Sequence, residues 1–344
     1  MRVLVTGLSS FWGGRIAQAL EQNPSVEMIV GIDTEAPVLP LERTEFVRAD
    51  ESYSILARLV RATQVDTVVH AGLVVDSTRL GAGRLHERNV IGTMNLLGAV
   101  GADDSPVRCV VVKSSTLVYG STAHDPVWFS ETTARTAVAR TPVERSLIEA
   151  ESYLRDFAED HPHIDVAVLR CANVLGADVT TAISQALALP AVPRIAGFDP
   201  QLQLVEQDDV VRAVCFGVER RLAGIYNVAG DGRVPWSEML AIAGKPPLLL
   251  PPVLTGLAAR PLARIGLVEL PPELLDLLRF GRGVDNARLK GAGFAYRYTT
   301  AGAVEHFIGA QRLRHTVGET EPRYRWDSDV EAFFRHSPAV VRRG

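Results

Sequence analysis

Short apolar runs recur along the chain with helical segments between them. Val3, Leu4 and Val5 form the first, with no polar interruption, as a strand buried on both faces requires. Arg15 to Glu21 follows with Ile16, Ala19 and Leu20 at helical spacing, and Val26 to Ile32 is a second apolar run closed by Asp33. The same pattern predicts strands at Phe46–Asp50, Val65–Gly72, Arg108–Val112, Val166–Arg170 and Ile225–Ala229. It predicts helices at Leu56–Thr63, Asn89–Val100 and Glu144–Glu159. Strands alternating with helices at this spacing imply an α/β protein built on a doubly wound parallel sheet. Right-handed crossovers then place every strand's C-terminal end along one edge. His70, Ser115, Asn173 and the stretch Ala229 to Asp231 stand at or just past strand ends, so they are expected to line one crevice, where such sheets hold ligands.

The first thirty-odd residues carry the most specific chemistry. Between the first strand and helix, Thr6-Gly7 and Leu8-Ser9-Ser10-Phe11-Trp12-Gly13-Gly14 turn the chain. Strand, glycine turn, helix, strand and terminal acid make the βαβ unit of a Rossmann-type dinucleotide site. Amides at the helix start, around Gly7, Ser10, Phe11, Trp12 and Gly13, are expected to face a pyrophosphate, favoured by the helix dipole. Asp33 would accept hydrogen bonds from a ribose hydroxyl and repel a 2′-phosphate, which favours NAD over NADP. Ser10 stands where a glycine normally lets the backbone approach the phosphates; it fits if its φ is negative and its hydroxyl aims at the pyrophosphate. The bland alternative is a sheet of the same type with no cofactor.

After residue 172 the pattern changes. Helices at Ala182–Leu189, Trp236–Ala243 and Pro272–Phe280 are separated by Pro- and Gly-rich connections, and residues 246–270 combine prolines with many leucines. The expected organisation is an NAD-binding domain over 1–172 with the strand region around 203–231, and a small, mostly helical substrate lobe from 173–202 and 232–308. A polar, arginine-rich tail over 309–344 completes it, with one amphipathic patch at Val330, Phe333 and Phe334.

At 344 residues, 47% apolar, 22% charged and formal net charge −4, the chain reads as a globular protein with ample core and no bias toward nucleic acid. Cys109, Cys171 and Cys215 are scattered in apolar runs without metal-ligand spacing, so no metal is expected and the thiols read as reduced, in a cytoplasm. The chain opens directly on a core strand, so no signal peptide is expected, and no apolar run is long enough to cross a bilayer.

Nine short motifs in order resemble the extended short-chain dehydrogenase/reductase family, the NAD-dependent epimerase/dehydratases, over roughly residues 1–308. They are Thr6-Gly7 with Gly13; Asp33; Asp50; His70-Ala71; Asn89-Val90-Ile91-Gly92-Thr93; Ser114-Ser115-Thr116-Leu117-Val118-Tyr119-Gly120; Arg170-Cys171-Ala172-Asn173-Val174-Leu175-Gly176; Asp208-Asp209-Val210; and Tyr226-Asn227-Val228-Ala229-Gly230. The resemblance implies that Asp50 lies near the adenine and that Ala71 and Gly72 pass along the cofactor. Asn89 and Ser114 join the cofactor set by the same likeness, Asn173 the substrate side. Ser115 would be the hydroxyl facing the reacting carbonyl or alcohol, with Tyr119 four residues on.

The family's chemistry also uses a tyrosine and, one helical turn later, a lysine that favours its phenolate. Here the pair is absent: Lys113, Lys245 and Lys290 are the only lysines, and none lies four residues after a tyrosine. One register of the helix from Glu144 puts Val143 and Leu147 at those positions; a shifted one gives Thr141 and Arg145. Tyr119, His124, Glu131 and Arg145 are the replacement candidates. Nucleotide-sugar members carry an arginine before the acid near Asp209; here the segment reads Gln201-Leu202-Gln203-Leu204-Val205-Glu206-Gln207, which points to a less charged or hydrophobic small-molecule substrate. Three readings stay open: an atypical NAD-dependent oxidoreductase or epimerase/dehydratase, a non-catalytic NAD-binding sensor or partner, and a scaffold using the arginine-rich end from Arg312. The resemblance also implies a homodimer through a four-helix contact, for which Tyr153, Leu154 and Phe157 are candidates; the same side chains can instead pack inward.

Overall fold

The computed structural model describes residues 1–76, 80–252, 271–317, 328–330, 333–334 and 337–341. Five strands and five helices build the half of the protein that the apolar pattern announces. They are β1 (Arg2–Thr6), α1 (Phe11–Glu21), β2 (Met28–Asp33), β3 (Thr44–Arg48), α2 (Tyr53–Thr63), β4 (Thr67–His70), α3 (Ala82–His86), α4 (Gly92–Val100), β5 (Cys109–Ser115) and α5 (Pro142–Asp160). A single π-turn, Glu87–Ile91, joins α3 to α4, so this helical stretch starts earlier than the periodicity predicts. After the short strand β6 (Trp128–Phe129), the chain continues through β7 (Asp165–Cys171), β8 (Asn173–Leu175) and helix α6 (Ala182–Ala188).

The main sheet is parallel throughout, in the order Gly224–Val228, β7, β5, β4, β1, β2, β3 and Ser328–Asp329. Its central strands are buried on both faces: Val3 to Val5, Val68 with Val69, and Val110 to Val112 have no solvent contact. A run of β-branched residues suits that environment because each fills the pleat without a polar group to satisfy. The chain reverses direction in sheet order at β1 and β4, and the crevice opens there, beyond the strand ends.

A second cluster of buried residues, including Leu187, Ile195, Trp236, Leu278 and Phe307, packs beside the sheet. Two helices escaped the periodicity, one on the main sheet and one in this second cluster. Gln207–Arg220 begins at the Asp208-Asp209-Val210 motif, capped by the Glu206 carboxylate, and Thr300–Val317 runs past the point where the sequence turns polar. Described parts of the polar stretch 309–344 pack on the main domain. Besides that helix, Ser328–Asp329 pairs with β3, Phe333 is buried, and the Arg58 guanidinium lies 3.9 Å from the Phe334 ring centroid. Arg2 donates to the Ala339 carbonyl at 2.7 Å. The physical reason is the open edge of β3, whose unpaired backbone takes up another strand. Much of the arginine-rich stretch, and residues 253–270 of the proline-rich connection, lie outside the described residues.

On α5, Leu154 and Phe157 pack inward, whereas Tyr153 stays exposed, as do Met94 and Ile91. Among the described residues, no helix is long and apolar enough to cross a membrane.

Candidate functional site

The β1–α1 turn is as tight as a backbone allows. Gly7 has φ +69°, and a β-carbon on it would stand 2.5 Å from the Gly72 α-carbon. One on Gly13 would stand 2.2 Å from the Gly7 carbonyl oxygen. Ser10 has φ −69° and caps α1: its hydroxyl donates to the Gly7 carbonyl at 2.6 Å and accepts from the Gly13 amide at 3.0 Å. The expectation that this hydroxyl aims at a pyrophosphate is therefore corrected; it is spent on holding the turn, as N-cap serines are. With Gly13 satisfied, the amides of Phe11 and Trp12 are left without a protein acceptor among the described residues. Both residues line a cavity of about 570 Å³. Two free amides at a positive helix end, approached over bare glycine backbone, fit a pyrophosphate.

At one end of this cradle, Asp33 is 2% exposed and heavily bonded. It accepts from the Ser9 amide at 3.0 Å, the Ser9 hydroxyl at 2.5 Å, the Thr34 amide at 2.8 Å and Arg88 at 3.4 Å. Arg88 projects from the π-turn and also reaches the Gly72 carbonyl at 3.4 Å. It lines both the first cavity and a second of about 610 Å³ that holds Asp33, Thr34, exposed Asp50, Glu51 and Arg84. Glu51 and Arg88 were not found by sequence reasoning. Glu51 adjoins the motif acid Asp50, the one signal available; nothing local announces a π-turn.

A β-carbon on Gly72 or Gly92 would stand 3.3 Å from a Glu51 carboxylate oxygen. Burial pushes its carboxyl up to about 7 against the pull of Arg88, with Asp33 adding to the rise. His70 is not in the crevice as expected but inside β4, its Nδ1 2.6 Å from the Thr6 hydroxyl and its Nε2 3.2 Å from that of Thr93. Thr93 donates to the Asn89 carbonyl, so Nε2 carries the ring proton and Nδ1 accepts. Burial and Arg88 push this imidazole down to about 4.

These two groups give opposite pH slopes. Glu51 is raised, so its contribution is complete below the unfolded value of 4.5 and is lost as pH climbs through about 7. His70 is lowered, so its contribution holds above 6.5 and is lost as pH falls toward 4. Between roughly 4.5 and 6.5 the slopes cancel, and the native profile is expected to be nearly flat. Glu51→Gln should add about 2–3 kcal/mol above neutrality and uncover the acid-side slope of His70. Urea unfolding in a pH series reads both; a variant profile that overlays the wild type contradicts the assignment.

Toward the other end of the cavity stand Lys113, Ser114, Ser115, Cys171 and Asn173. The Ser115 hydroxyl accepts from the Leu117 amide at 3.2 Å and caps the turn Thr116–Tyr119. Ser114 points the other way, its hydroxyl donating to Glu151 at 2.5 Å. Burial pushes the Cys171 thiol up to about 11, with Lys113 opposing, so it stays a thiol. Lys113, buried from solvent, puts its Nζ 4.7 Å from the Trp12 ring centroid. Sequence reasoning registered it only as a lysine far from any tyrosine; strand alternation from Ser115 was the signal that could have placed it. Ala71 and Gly72 line the wall, but Asn89 does not: it is buried, bonding both the amide and carbonyl of Val74 and the Ser146 hydroxyl. Its effect on the site is through the loop it straps. Ala229 to Asp231 lie outside the cavity lining, tied instead to Asn286 and Lys290.

Comparison with known proteins bears on this geometry. The profile of the NAD dependent epimerase/dehydratase family matches residues 3–229. The chain belongs to that family. An uncharacterized protein of Mycobacterium tuberculosis is 34% identical over 319 residues, covering 90% of this chain and 84% of that one. In fold, the chain is similar to UDP-glucuronic acid 4-epimerase from Bacillus cereus in complex with NAD, with TM-score 0.70 and 16% identity over 93% of this chain and 99% of that one. It is also similar to dTDP-glucose 4,6-dehydratase from Bacillus anthracis in complex with NAD, with TM-score 0.69 and 17% identity over 92% and 98%.

Neither register of α5 brings a phenol or an ammonium to the cavity. Val143 and Leu147 are core residues of α5, Thr141 is its N-cap, and Arg145 points to solvent. None of the replacement candidates lines the cavity. Tyr119 as a catalytic group is corrected: it is 1% exposed, stacked on Phe129, with its hydroxyl donating to Asn227 at 2.8 Å. Burial pushes its phenol up, against Arg170. Glu131 accepts from the Asn227 amide, and His124 is exposed on a turn.

Proposed function

We propose that the protein holds NAD along the crevice and works as an oxidoreductase or epimerase/dehydratase on a small, weakly charged or hydrophobic alcohol, carbonyl or sugar. The observation that carries this reading is continuity: Phe11 and Trp12, whose amides are free, and Ser115 line one cavity. Asp33 and Asp50 would hold the adenosine half, Arg88 yielding its place on Asp33 to a ribose hydroxyl. Bound NAD would supply hydride acceptance and return. Ser115 would hold the reacting oxygen of the substrate, and Asn173 would orient it from β8. Among the described residues, the lobe end of the cavity carries Asp178 and Glu273 with apolar Val174, Val179, Ile183 and Leu274, and no cation there. The apolar share of that lining supports a substrate of low charge.

A homodimer through α4 and α5 belongs to the same proposal, with Met94 and Tyr153 exposed on those helices. The three unpaired cysteines suit a reducing cytoplasm. A second reading, an NAD-binding sensor or partner without turnover, is favoured by one observation: no tyrosine is among the described residues lining the cavity.

NADH fluorescence and thermal-shift titrations test the shared part. A ligand held only by the folded state adds about 2.7 kcal/mol at a hundred times its Kd. Ser115→Ala is expected to leave NADH affinity within twofold and to cut NAD reduction by a panel of alcohols and sugars about 100-fold. Tight NADH binding without any Ser115-dependent reduction favours the sensor reading; no binding of NAD(H) refutes both.

A further inference from the structure

We propose that Glu51 is a positioning residue of the coenzyme site, the carboxyl to which Arg88 turns when a ribose takes Asp33, so that coenzyme binding expels the Glu51 proton. The inference rests on the crevice being an NAD site. Asp33 grips its donors unequally. The Ser9 hydroxyl, the Thr34 amide and the Ser9 amide lie at 2.5, 2.8 and 3.0 Å, held by the turns on either side. Arg88 stands 3.4 Å from both carboxylate oxygens, and its side chain is 32% exposed. A hydrogen bond that long is weak, so Arg88 is the donor that a ribose hydroxyl replaces. The displaced guanidinium is then a half-buried cation, which a second anion within reach stabilises.

Glu51 is that anion by position. Arg88 donates through Nε to the Gly72 carbonyl at 3.4 Å, and one Glu51 carboxylate oxygen lies against the same glycine, 3.3 Å from where its β-carbon would stand. The other oxygen is as close to Gly92, the first residue after the π-turn that carries Arg88. With Nε kept on the Gly72 carbonyl, rotation about the outer side-chain bonds takes the guanidinium from Asp33 to Glu51 and leaves the turn in place. Asp33 faces Glu51 from the end of β2, and Asp50, Arg84 and Glu87 line the same second cavity. The last three are exposed, where water screens them. His70, on β4, is neutral above about 4 and adds no charge. Burial holds the free Glu51 carboxyl at about 7, and direct pairing with Arg88 lowers it. Below about 7 the free protein therefore carries a proton that the complex gives up, and affinity climbs with pH toward neutrality, then levels.

Calorimetric titration with NADH in buffers of different ionisation enthalpy counts the proton, and a pH series from the acid side to above neutrality reads the affinity. The wild type is expected to release about half a proton or more near pH ~6 and to bind about five- to tenfold more tightly near pH ~8.5. Glu51→Gln keeps the shape and removes the proton, so it is expected to bind without release and with a flat profile, near the wild-type level on the acid side. Arg88→Met removes the cation and is expected to abolish the release, which a merely structural carboxyl would not do; Arg88→Gln replaces it if that variant does not fold. Wild-type binding without proton release overturns the inference while leaving the crevice reading intact. Release that persists in Glu51→Gln assigns the proton elsewhere and overturns it as well, and release that persists without Arg88 overturns the exchange of partners. A wild type that binds no NADH overturns the crevice reading and the inference together.

Discussion

Gly13→Ala is expected to abolish measurable NADH binding, at least a 100-fold loss, and to destabilise the fold by about 3 kcal/mol or more. The new β-carbon would lie 2.2 Å from the Gly7 carbonyl oxygen, 2.7 Å from its carbon and 2.8 Å from the Leu8 α-carbon. All three are backbone atoms, so no rotamer change relieves the clash, and the turn itself must open. Opening it separates Gly7 from Ser10, whose hydroxyl closes the cap between the Gly7 carbonyl and the Gly13 amide. The amides of Phe11 and Trp12 then lose their common direction, and with it the helix-end field. Gly7→Ala should behave similarly for two reasons at once: φ +69°, and a β-carbon 2.5 Å from Gly72. Gly83→Ala is the control. Its β-carbon meets nothing within 4 Å and it sits inside α3, so a small gain of about 0.4–1 kcal/mol is expected with NADH affinity unchanged. Urea unfolding and NADH titration on the three variants check this; Gly13→Ala with wild-type affinity contradicts the cradle.

The contrast between Gly13 and Lys113 shows what one sequence makes legible. Strands β1, β2, β4, β5 and β7 are announced by runs of apolar residues because a parallel strand is buried on both sides and tolerates little else. The glycines are legible because a tight turn leaves no other residue type room. Ser115 and Asn173 are legible because chain order and crossover handedness fix which ends of the strands meet. The direction of a polar side chain inside an element is harder. Tyr119 sits in a family-like motif yet folds back into the core, where Asn227 offers an acceptor and Phe129 a ring to stack on. Asn89 looks like a cofactor ligand and serves as a strap for Val74. Arg88 reaches Asp33 because of a π-turn, a register change that no local propensity encodes. The docking of Phe333 depends on an open sheet edge formed almost the whole chain length earlier, and polar composition around it hides the contact.

Glu151→Ala is expected to cost about 3–5 kcal/mol by stranding Arg170. The pair is enclosed, with side chains 7% and 12% exposed, and Arg170 donates twice to one carboxylate oxygen at 2.6 and 2.9 Å. The other oxygen takes the Ser114 hydroxyl at 2.5 Å, and the guanidinium lies 4.7 Å from the Tyr119 ring centroid. Removing the carboxylate leaves a buried cation, a hydroxyl and an arene with no anion among them, and that desolvation has no compensation. Arg170→Ala leaves the carboxylate with the Ser114 hydroxyl as its remaining donor among the described residues and should cost a similar amount. Replacing both, as in Glu151→Leu with Arg170→Met, removes the charges together, so most of the loss is expected to return and the cycle to show strong coupling. Additive single and double variants in urea unfolding at neutral pH contradict this account. The pair also bears on chemistry: Arg170 lies directly opposite Ser114 in the β5–β7 ladder, and Ser115 is the next residue. With Ser114 fixed from the α5 side, Ser115 and Lys113 are held facing the cavity. The folded double variant should therefore keep NADH affinity within a few fold, whereas Glu151→Ala, with a charge seeking solvent behind β5, should lose more of it.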